Sequence, residues 1–179
     1  MEAIVPSRGR HLWQIGLDRD PGSSFNALVI PVQQSRDLAN LLRELSGLPD
    51  LVAVPRNWLH VTMAVSAEAL RNLPGPNALT TGCTFDTRGI YLTDYSIRLT
   101  LAPQFDTAAI CNSFGVPDPG LNYLTVAYFL RESRLTVRDV PDQCTQNEVR
   151  VQGLGVEHRL TGGGRRAFEF DVLQRWRPH

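Results

Sequence analysis

Two stretches of this chain follow one pattern: WLHVTMAV at residues 58–65 and NYLTVAYF at residues 122–129. With His60 laid over Tyr123, each is an apolar strand with a threonine two positions on, Thr62 and Thr125, and an alanine two further still, Ala64 and Ala127. Alternate side chains of a strand share a face, so His60 and Thr62 point the same way, as do Tyr123 and Thr125. A chain that makes this strand twice is expected to bring four polar groups together.

The segments around the two strands also echo one another. SRDLANLLRELSG places Leu38, Leu41, Leu42 and Leu45 at helical spacing, with Ser35 to cap the start and Gly47 to end it. LVAVPRNWLHVTMAV then supplies one or two strands broken at Pro55, a residue that cannot donate to a ladder. PQFDTAAICNSFG predicts a second helix with Phe105, Ala109 and Ile110 on one face, and VPDPGLN leads into the second strand. HLWQIGLD and FNALVIPV read as strands at the start, TFDTRGIYLT and YSIRLTLA as strands joined by a tight turn, and the C-terminal third as two strands folding back across TGGG. The fold class this implies is α+β. The order reads as a crude internal duplication: strands, helix, loop and signature strand, twice.

Composition sets the outer bounds. At 179 residues and 42% hydrophobic content the chain can bury an ordinary core, and 18 basic against 18 acidic residues leave no net charge to grip a long polyanion. All the basic residues are arginine, which is first a sign of genomic base composition and only second of bidentate anion contacts. Cys83, Cys111 and Cys144 are odd in number and outside any ligand spacing, as expected of a reducing cytoplasm. No segment has the length of a membrane span, and no motif for a nucleotide cofactor or a metal is present. The expected partner is a small molecule or nucleotide, without metal or cofactor; the oligomeric state is left open.

WLHVTMAV, after its Leu-rich helix and AVPRN loop, resembles the first His-x-Thr motif of the two-histidine phosphoesterases, the superfamily of 2'-5' RNA ligase-like proteins and cyclic phosphodiesterases. NYLTVAYF is similar to the second motif except that Tyr123 stands where the histidine belongs. The resemblance implies a duplicated, two-lobed α+β fold over residues 1–179, with antiparallel sheets lining a central cleft and helices outside, and metal-independent phosphodiester chemistry on a cyclic phosphate or small 2'-5'-linked nucleotide. In it His60 moves a proton, Tyr123 replaces the second proton-transfer residue, and Thr62 and Thr125 hold the phosphate. A phenol with a pKa of about 10 can donate a proton at neutral pH but is a poor base. Trp58 and Tyr128 flank the strands and could stack on a base, although core packing is the commoner fate of such aromatics.

Two other functions fit the same residues. The His60–Tyr123 pair would suit acid/base chemistry on a non-phosphate metabolite, and a chain lacking one catalytic histidine could bind a nucleotide without cutting it. His158 in GVEHRL is a further candidate to enter the cleft, with a surface strand position as the plainer expectation. Gly162–Arg166 could form an anion-binding nest, or simply a turn beside exposed arginines.

Overall fold

The computed structural model describes residues 24–66, 82–93, 95–130, 135–140, 150–162 and 168–178. The expected strand at HLWQIGLD, most of the Gly/Pro-rich stretch after residue 70, Cys144 and Gly163–Arg166 lie outside the described residues.

The element order is β1 (Ser24–Gln33), α1 (Arg36–Ser46), β2 (Leu51–Ala53), a 3-10 turn (Arg56–Trp58), β3 (His60–Ser66), β4 (Cys83–Leu92), β5 (Ser96–Pro103), α2 (Thr107–Ser113), β6 (Asn122–Phe129), a second 3-10 turn (Val137–Asp139), β7 (Arg150–Gly153), β8 (Val156–Gly162) and β9 (Phe170–Trp176). Every pairing is antiparallel. β1 pairs β3, β3 meets β6, β6 pairs β5, β5 pairs β4, β4 pairs β7, and β7 returns to β1. These six strands close a barrel. β2 adds to the outside of β6, β8 continues along β1, and β9 pairs β8, so three further strands extend the same sheet.

This overturns the expected two-lobed α+β architecture. The protein is mostly β, and among the described residues its helices span 11 and 7 residues, too short to form the outer layer of two lobes. The two motif strands do not face each other across a cleft either. They are neighbours in one barrel wall, paired at Val61 and Leu124. The echo of strand, helix, loop and strand is real in the sequence, but long-range pairing by the ten-residue β1 joins both halves into one sheet.

The barrel interior follows from strand alternation. Ile30, Val61, Leu124, Leu99 and Ile90 are paired in turn from β1 through β3, β6 and β5 to β4, and all are 0–1% exposed. Phe85 and Val151 continue this layer across β4 and β7. Closure between β1, β7 and β4 depends on Gly153, because a Cβ there would stand 2.4 Å from Ile30 Cγ2 and 2.9 Å from Cys83 Cβ. Two residues later Gly155, at φ +108°, turns the chain out of the barrel into β8.

α1 forms where its leucine spacing requires. Ser35 accepts a hydrogen bond from the Leu38 backbone N–H at 3.2 Å, and Leu38, Leu41, Leu42 and Leu45 are buried in the common core. α2 begins after its cap Asp106, which accepts from the Ala109 N–H. Phe105 therefore precedes the helix and packs against Phe85 at 5.0 Å, while Ile110 and Cys111 form the buried face. Neither helix is long and apolar enough to cross a membrane.

Candidate functional site

Val61 and Leu124 point into the barrel, so their neighbours in each strand turn outward. His60 and Thr62 of β3 and Tyr123 and Thr125 of β6 therefore do share one face, as the sequence predicts, and it is the outer face of the barrel wall. His60 and both threonines are half-buried, and Tyr123 is 37% exposed. β5 adds to this face, with Arg98 paired to Thr125 and Thr100 to Tyr123. The Arg98 guanidinium lies 4.2 Å from the centre of the Tyr123 ring. It also donates to the Tyr95 hydroxyl at 2.6 Å and from Nε to the Ser96 hydroxyl at 3.1 Å.

The environment of His60 fixes its chemical form. Its Nδ1 is in hydrogen-bond contact with the Trp58 carbonyl. A carbonyl oxygen only accepts, so Nδ1 carries the proton and Nε2 has a bare lone pair. Burial, reinforced by the Arg159 charge and opposed by the Trp58 carbonyl, pushes the imidazole pKa down to about 4. Neutral His60 is thus the prevailing form through the physiological range, with Nε2 able to accept a proton.

The aromatic flanks are packed together. Trp58 meets His60 edge-on at 5.3 Å, Phe168 at 5.8 Å and Phe170 at 4.9 Å, and Tyr128 meets the same Phe168 at 5.8 Å. Trp58 and Tyr128 form a wall with Phe168 between them, in place of the open stacking platform considered from sequence. Phe168 holds φ +68°, a conformation costly for a bulky residue.

Glu157 and Arg159 of β8 stand on the face that includes Val29 and Ala27 of β1, with Thr62 paired to Val29 on the other side. The Arg159 guanidinium lies 4.1 Å from the Phe170 ring centre and 6.0 Å from that of Trp58. His158, between them in sequence, turns to the opposite face. It is 3% exposed, and its Nε2–H donates to the Asn26 side-chain oxygen at 2.9 Å. It is neither the surface residue expected nor a substitute for the missing histidine.

Sequence reasoning missed Arg98 and Arg159. For Arg98 the signal was present: in YSIRLTLA, Arg98 and Thr100 alternate with the buried Ile97, Leu99 and Leu101. Arg159 gave no such signal, since it lies in a strand buried on both faces and is recognisable only through its partners.

No family model matches this chain, and no curated protein matches it. Among solved structures it is similar to a conserved protein of unknown function, ATU0111 from Agrobacterium tumefaciens strain C58, with a TM-score of 0.51 at 12% identity over 85% of each chain. That similarity establishes a shared fold across most of both chains.

Proposed function

We propose that this chain is a metal-independent phosphodiesterase acting on a cyclic phosphate or a small nucleotide. One observation carries the reading. His60, neutral and with its proton held at Nδ1 by the Trp58 carbonyl, shares a barrel face with Thr62, Tyr123 and Thr125. In this reading His60 Nε2 takes a proton from the attacking water as its oxygen bonds to phosphorus. The phosphorus–oxygen bond to the leaving group breaks, and the Tyr123 hydroxyl protonates that oxygen. The Thr62 and Thr125 hydroxyls donate to the nonbridging oxygens, and Arg98 balances their charge. Solvent then restores both protonation states.

A nucleotide-binding module is the second reading, favoured by the same depressed pKa. An imidazole held at about 4 is a weak base, and a tyrosine is a poor replacement for a histidine. The reducing environment of the cytoplasm suits either reading, since Cys83 and Cys111 are free, buried thiols.

The test is turnover of 2',3'-cyclic nucleotides and 2'-5' dinucleotides by the purified protein, His60→Ala and Tyr123→His. The phosphodiesterase reading expects turnover that His60→Ala abolishes and Tyr123→His raises. Binding without product in all three proteins would establish the module instead, and an apolar metabolite as the only ligand would sink both.

A further inference from the structure

Next to the candidate catalytic face, the 3-10 turn Arg56–Trp58, β8 and β9 line an open cavity of about 460 Å³, within the range of small-molecule sites. Among the described residues, four arginines line it, Arg56, Arg159, Arg175 and Arg177, against one acidic residue, Glu157. For a chain with equal numbers of acidic and basic residues this is a marked local excess of positive charge.

The hydrogen bonding around Glu157 sharpens the point. Its Oε2 accepts a hydrogen bond from Arg159 Nε, and its Oε1 is ion-paired with Arg175, whose Nε lies 2.7 Å away, so both carboxylate oxygens are engaged. Arg159 is 4% exposed, and its Nη1 has no hydrogen-bond partner among the described residues. A cation buried this deeply in the cavity wall raises the local positive potential, which favours a negatively charged occupant. Phe170 and Trp176 supply the apolar part of the wall.

We infer that this cavity binds a small organic dianion. Arg56 and Arg177 hold its oxyanion head, Arg159 and Arg175 add positive charge to the wall, and its apolar body lies against Phe170 and Trp176. A phosphoryl group and a dicarboxylate present the same chemistry to these arginines. The surplus of guanidinium groups over the single carboxylate favours a doubly charged head. The inference needs only the charge and shape of the cavity, and it holds whether or not His60 is catalytic.

The test uses the full chain in Tris buffer of low ionic strength, free of phosphate and sulfate. Inorganic phosphate and succinate are titrated separately, read by calorimetry and by the fluorescence of Trp176 and Trp58. The expected result is saturable binding of at least one probe, with the stronger one identifying the head group. Arg56→Gln/Arg177→Gln, a double variant at two exposed positions, should bind it about tenfold more weakly. Absence of binding by both probes overturns the inference. So does phosphate binding that the double variant leaves unchanged but Thr62→Val removes, which would place the anion on the His60 face. Binding lost in the double variant, in a protein with no phosphodiesterase turnover, upholds the cavity while the proposed activity falls.

Discussion

The Arg98 guanidinium stands 4.2 Å from the centre of the Tyr123 ring while its nitrogens are tied to Ser96 and Tyr95. The cation is fixed by its own strand and holds the ring in turn. Arg98→Met keeps much of the aliphatic packing but removes charge and hydrogen bonds. With Tyr123 as proton donor and Arg98 balancing the phosphate charge, kcat should fall about 100-fold, the lower reach of an acid/base contribution, and KM should rise by less. Steady-state kinetics on a 2',3'-cyclic nucleotide check this split.

His60 sets the response to pH. Its folded pKa of about 4 lies below its ordinary value of 6.5. Between these values the unfolded chain binds more protons than the folded one. Stability from this group is therefore complete above pH 6.5 and is lost progressively as pH falls toward 4. The loss is on the order of 2 kcal/mol after discounting for the partial exposure of the ring. Urea denaturation at pH 7 and pH 4.5 should differ by about this amount, and His60→Phe should reduce the difference.

Arg159 contributes to that depression through its charge. Arg159→Met should move the His60 titration upward toward its ordinary value, as followed by the imidazole proton resonances. Glu157 keeps its ion pair with Arg175 in this variant, so the carboxylate is not stranded. A titration that stays near 4 would mean that burial alone accounts for the shift.

Barrel closure can be tested at Gly153. An added methyl group would meet Ile30 and Cys83 at distances side chains do not tolerate. Gly153→Ala should cost about 1–3 kcal/mol, the usual penalty for overpacking. Gly82→Ala, where a Cβ meets nothing within 4 Å, should be near neutral. Equal midpoints in denaturant for the two variants would contradict the close approach of β1, β7 and β4.

Local features of the fold were legible where neighbouring residues decide them. Ser35 and the four leucines of α1 announce that helix, and Ser35→Ala should cost about 1 kcal/mol in thermal unfolding. Period-two alternation likewise assigns His60, Thr62, Tyr123 and Thr125 to one side of their strands. Barrel closure was not legible, because β1 chooses β3, β7 and β8 as partners across most of the chain's length, and no local pattern encodes that choice. The length of α2 was overestimated because Phe105, read as helical, precedes the Asp106 cap and serves the core by meeting Phe85 edge to face.

β3 and β6 meet in the barrel through one paired position, Val61 with Leu124, whereas β4 and β5 are paired along most of their length. The β3–β6 junction is therefore the seam of the barrel, and it runs between the two halves of the candidate site. Breathing along it would widen or narrow the gap separating His60 and Thr62 from Tyr123 and Thr125, with the rest of the ladder intact. A ligand bridging the two strands would act as a clasp, slowing amide exchange at Val61 and Leu124 more than at the β4–β5 amides.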